Sequence, residues 1–67
     1  MTDFAIDFIL SQIDNDIAEQ RAAMGHYVKR MGRHDVTAIR CHEAVRTLRF
    51  LRSEIVRTSG YRPRLAA

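Results

Sequence analysis

From Ile6 onward, apolar residues return in steps of four and three: Ile6, Leu10, Ile13, Ile17, Met24, Tyr27 and Met31, with Gln20 as the one polar member. A helix turns once in about 3.6 residues, so this alternation draws one stripe along one side, the heptad form that packs against another helix. Ile9 and Val28 widen the stripe on its two sides. Thr2 or Asp3 can cap the start, and the early acidic residues suit the positive end of the helix dipole. The pattern predicts a first helix over about 3–31. A second stripe follows: Thr37, Cys41, Ala44, Leu48, Leu51, Ile55 and Thr58, flanked by Val45 and Val56. It predicts a helix over about 36–58, closed by Ser59-Gly60, with Pro63 preventing continuation.

The stretch Met31-Gly32-Arg33-His34-Asp35 separates the two stripes. Glycine ends helices because it reaches left-handed conformations without a Cβ clash. Aspartate starts them by accepting the free N–H groups of the next turn. A turn over 32–35 is too short for anything but antiparallel neighbours. The expected fold is therefore all-α: a helical hairpin over residues 1–60 and a mobile basic tail over 61–67. Two helices cannot enclose their own seam, so pairing of the hairpin with itself into an antiparallel four-helix bundle is expected. In that bundle the seam is Ile6, Leu10, Ile13, Ile17, Gln20, Met24, Leu48, Leu51 and Ile55, with Gln20 fixing register and oligomer state. The architecture is similar to that of small hairpin-dimer proteins such as the plasmid-regulator Rop family, with which the chain shares no sequence motif.

Further apolar residues fall away from both seams. Phe4 and Phe8 do so on the first helix, and Val36, Ile39 and Phe50 on the second. These are the expected contacts with a second protomer or another protein.

Length and cysteine usage sharpen this reading. A chain of 67 residues has room for one small domain, a size that often needs disulfides, metal or oligomerisation. The single cysteine, Cys41, excludes an intramolecular disulfide and fits a reducing compartment. No basic residue precedes Arg21, so the start lacks the basic segment of a secretory signal. The longest early apolar run, Phe8-Ile9-Leu10, is far short of the roughly 20 residues that span a bilayer. A cytoplasmic protein without membrane association is expected. Ten arginines against one lysine, in so brief a chain, fit a bacterial or phage gene.

The net charge of +3 conceals a strong asymmetry. Residues 1–20 hold Asp3, Asp7, Asp14, Asp16 and Glu19 with no basic residue, whereas all eleven basic residues lie beyond. In an antiparallel hairpin the acidic start lies beside the arginines of the second helix, so much of the basic charge is answered within the molecule. Arg46, Arg49 and Arg57, extended by Arg62 and Arg64, nevertheless form a basic flank able to follow phosphates. Glu43 and Glu54 stand three residues before Arg46 and Arg57, as in ordinary surface ion pairs.

Little else carries chemistry. His26, His34, Cys41 and His42 are the only soft ligands, and adjacent helical residues such as Cys41 and His42 point about 100° apart. Asp14 and Asp16 likewise diverge, and no glycine-rich phosphate loop occurs. No catalytic residue, metal or cofactor is expected. The sequence reads as a small non-enzymatic adaptor or regulator acting as a hairpin homodimer with a protein partner. The alternative is a nucleic-acid-binding dimer using the arginine flank.

Overall fold

The computed structural model describes residues 2–61. It is a helical hairpin of two elements, α1 (Asp3–Met31) and α2 (Val36–Ser59). The expected basic tail beyond Tyr61, with Arg62 and Arg64, lies outside the described residues.

Each helix end is satisfied by local chemistry. The Thr2 hydroxyl accepts from the Ala5 N–H at 3.2 Å, capping α1. Gly32 ends α1 at φ 90°, a conformation that L side chains rarely adopt, and its N–H donates to the Val28 carbonyl. Three residues later Asp35 opens the second helix. The Asp35 carboxylate accepts from the Thr37 and Ala38 N–H groups at 3.0 and 3.1 Å. At the far end Gly60 adopts the left-handed conformation at φ 69° and donates to the Val56 carbonyl. Tyr61, assigned to the tail from sequence, instead reaches back across the hairpin. Its hydroxyl donates to Asp7 Oδ1 and its N–H to Ser59 Oγ.

The core is thin. Among the described residues the buried apolar side chains are Ile6, Leu10 and Ile17 from α1, with Ala38, Cys41 and Val45 from α2. No described polar side chain is buried without a partner. Burying a large aliphatic side chain contributes about 1.5–3 kcal/mol, and three of these six are large. A single hairpin thus has a small reserve against the entropy of ordering its chain.

On α1 the buried side follows the expected seam in its first two-thirds, then opens: Tyr27 is exposed and Met31 is 67% exposed. On α2 the seam differs from the sequence reading. Ala38 and Val45 point inward, whereas Thr37, Leu51 and Thr58 are exposed. The inward positions run Ala38, Cys41, Val45, Leu48, Arg52 and Ile55, again in steps of three and four. Both stripes share Cys41, Leu48 and Ile55, so hydropathy favours the one containing Leu51 over the one containing Arg52. The small side chains of Ala38 and Cys41 are the buried ones of α2 nearest the turn.

Gly25, mid-helix on α1, meets nothing within 4 Å of an added Cβ. Its absent side chain therefore accommodates no neighbour within the hairpin. Gly25→Ala should stabilise the hairpin by about 0.5–1 kcal/mol, a rise of several degrees in the thermal melt followed by circular dichroism. A fall in melting temperature would mean that Gly25 lies against a second chain.

Candidate interaction surfaces

Successive helical residues turn by about 100°, which sorts the side chains of the hairpin into two broad faces. On α1, Ile9, Ile13, Gln20 and Tyr27 stand on one side of the buried line; Asp7, Asp14 and Arg21 stand on the other. On α2, Ala44, Leu48, Leu51 and Ile55 occupy one side, with His42, Arg49 and Ser53 on the other. Because the helices run antiparallel, the two apolar flanks fall on the same side of the hairpin. Burial agrees: Ile9, Ile13, Gln20, Ala44, Leu48 and Ile55 are all half-buried, and Leu51 is 46% exposed. One face is therefore apolar along its length with Gln20 as a polar insertion, and the opposite face is charged. The expected seam residue Leu51 belongs to this open face and not to the core of the hairpin. Met24 is half-buried where the helices meet.

The charged face is tied across the helices. Arg52 donates from Nε to Asp14 Oδ1 at 2.7 Å and from Nη2 to Oδ2 at 3.3 Å, a forked pair joining residues nearly equidistant from the turn. The hydrogen bond to Asp14 raises the Arg52 pKa above its ordinary value, partial desolvation working against it and the carboxylate charge adding to it. Sequence reasoning missed this pair. Its signal was the alternative stripe through Ala38, Val45 and Arg52, in which a long cationic side chain lays its apolar stem along a seam and its head outside.

Beside the turn, between the helices, lies a groove of about 220 Å³ lined by Met24, Val28, Arg33, Ala38, Ile39 and His42. Met24, Val28, Ala38 and Ile39 make its lining largely apolar, with Arg33 and His42 as the polar members. Of the expected contact residues, only Ile39 belongs to it. Phe4 is 81% exposed and Phe8 59%, one turn apart at the far end of α1. Val36 and Phe50 are exposed on α2, and Phe50 borders a shallow hollow with Glu43, Arg46 and Thr47. The five residues thus fall into separate groups: Phe4 with Phe8, Val36 with Ile39, and Phe50 apart from both.

The arginine flank is partly answered by its own helix. Arg46 pairs with Glu43 at 3.7 Å and Arg57 with Glu54 at 2.5 Å, whereas Arg49 enters no ion pair among the described residues. Cys41 is buried in the seam. His26 packs edge-on against Tyr27. No three His, Cys, Asp or Glu side chains converge as metal ligands among the described residues. No described helix is long and apolar enough to cross a membrane.

No family model, curated protein or solved structure matches the chain.

The Asp14–Arg52 pair is tested by a double-mutant cycle with Asp14→Asn and Arg52→Met. With side-chain exposures of 51% and 34%, the pair is largely solvated, so a coupling of about 0.2–1 kcal/mol is expected in denaturant unfolding. Zero coupling would show that the fork does not contribute to holding the register.

Proposed function

We propose that this chain is a non-enzymatic protein-interaction module whose hairpin pairs with a second copy through its apolar face, giving an antiparallel four-helix bundle. The observation carrying this reading is the stripe from Ile9 to Tyr27, broken by Gln20, beside that from Ala44 to Ile55, half-buried apart from the exposed Tyr27 and Leu51, with no third element among the described residues to cover it. The hairpin outline, 43 Å by 23 Å, offers the roughly 800 Å² per partner that a standard interface uses. A second copy brings the same stripe, so a two-fold arrangement is self-complementary. Burial on both sides supplies the hydrophobic stabilisation that the thin core lacks. Gln20, on this face, then meets the partner and favours arrangements in which its amide finds a hydrogen bond. Residues exposed outside this face, Val36 and Phe50 among them, remain for a further protein partner.

The nucleic-acid alternative draws on Arg46, Arg49 and Arg57. Two of these are engaged by carboxylates three residues away, which lowers the positive potential that phosphates would meet. It ranks second.

Leu51→Asp places a charge on the proposed interface at a side chain the single hairpin leaves exposed. Circular-dichroism helicity should persist while self-association weakens by about 10–100-fold, the loss of about one buried leucine. Light scattering coupled to size exclusion reads both wild type and variant. A monomeric wild type, or an unchanged variant mass, would overturn the pairing. Gln20→Leu should raise the melting temperature and broaden the oligomer distribution; a lower melting temperature with the same oligomer would place Gln20 in an essential bond.

A further inference from the structure

The two ends of the hairpin are chemical complements. Residues 2–20 carry five acidic residues and no basic one, and the adjoining end of α2, residues 50–61, adds Glu54 against Arg52 and Arg57, so this end stays net acidic; residues 21–49, around the turn, carry seven basic residues against Asp35 and Glu43. The acidic stretch ends on the open side of the hairpin, where Phe4 and Phe8 stand exposed beside Asp3 and Asp7. The basic stretch forms the turn end, where the apolar groove lies between Arg33 and His42. We infer that this groove is a docking site for the Phe4–Phe8 end of another copy of the chain.

The groove's size points to a side chain as its occupant. At about 220 Å³, it falls below the roughly 300–1,000 Å³ of small-molecule pockets. An aromatic ring seated on Met24, Val28 and Ala38 buries apolar surface on both partners, the arrangement typical of an interface anchor. Arg33 at the rim can then meet both the ring face and a neighbouring carboxylate. The contact is intermolecular by distance, since Phe4 begins α1 and the groove lies at the other end of a molecule 43 Å long. Charge selects a second copy over an arbitrary partner: like ends repel, and unlike ends attract at long range.

The groove opens on the side of the hairpin opposite the apolar face. Filling it therefore leaves face pairing possible and links paired hairpins head to tail. Such a contact is heterologous, so it extends until geometry closes it. The inference adds a second self-contact to the proposed pairing and does not require it.

A mixing experiment tests it. An end variant (Phe4→Ser with Phe8→Ser) retains an intact groove; a groove variant (Ile39→Asp with Arg33→Glu) retains an intact end. All four positions are exposed in the hairpin, so helicity by circular dichroism should be retained. In sedimentation velocity the full-length wild type should grow in mass with concentration. Each variant alone should lose that growth, its end contact weakened at least about tenfold. An equimolar mixture of the two variants should regain a single contact and sediment faster than either component. Raising salt towards 1 M, where the screening length is about 3 Å, should reduce the gain. A mixture that sediments as the sum of its parts, or variants that grow like wild type, would overturn the inference. Repeating the mixture with Leu51→Asp in both chains separates the two contacts: a gain that survives there belongs to the ends alone.

Discussion

The turn constrains everything else in this hairpin. Gly32 leaves α1 at a positive φ and Asp35 caps α2 three residues later, so only Arg33 and His34 lie between the two capping residues. That economy holds the axes together at one end and fixes which residues face one another along the rest. Asp14 consequently meets Arg52, and Asp7 meets the Tyr61 hydroxyl. The buried side chains are small nearest the turn, at Ala38 and Cys41, and large at the open end, at Ile6 and Leu10. The polar links are largely solvent-exposed and individually weak. They report the register more than they create it.

The helices were legible in the sequence because their signals are local. A 3–4 apolar alternation, a glycine able to take positive φ and an aspartate able to cap require no knowledge of the partner helix. The inward face of α2 was less legible because two stripes intersect in it. Cys41, Leu48 and Ile55 belong to both; Thr37, Ala44, Leu51 and Thr58 complete one, and Ala38, Val45 and Arg52 the other. A hydropathy count prefers leucine to arginine. It cannot register that Arg52 has a carboxylate across the hairpin or that Ala38 is buried beside the turn. The stripe containing Leu51 is nonetheless informative, because it marks the apolar flank that the hairpin leaves uncovered. The groove beside the turn was not legible, since its lining comes from both helices and the turn at once.

Charge illustrates the same difference between composition and placement. A net +3 suggests polyanion binding, but the fold separates the charges along its length: acidic at the open end of α1, basic around the turn. The arginines of α2 are divided further. Arg52 bridges to α1, Arg46 and Arg57 meet carboxylates on their own helix, and Arg40 and Arg49 enter no ion pair among the described residues. Along the flank of Arg46, Arg49 and Arg57 a phosphate backbone would therefore encounter a broken stripe in which Arg49 alone enters no ion pair among the described residues. A second hairpin laid antiparallel would instead bring each basic turn end over an acidic open end.

Two-helix architecture makes some external contact energetically favourable. Each helix has one neighbour, so the apolar arc that can be covered is narrow, and α1 and α2 both carry arcs wider than that. Part of the excess is aligned, with Ile9, Ile13 and Tyr27 beside Leu48, Leu51 and Ile55 on one side, whereas Phe4, Phe8, Val36, Ile39 and Phe50 lie elsewhere. Water in contact with such a stripe costs free energy roughly in proportion to its area. A matching apolar stripe relieves that cost without new polar partners, except at Gln20. A buried amide left unpaired costs about 1–3 kcal/mol, enough to discriminate among ways of stacking two hairpins whose apolar contacts are otherwise similar. In the proposed pairing, hydrophobic area would thus favour association in general, and one glutamine in the middle of the stripe would narrow it to particular geometries.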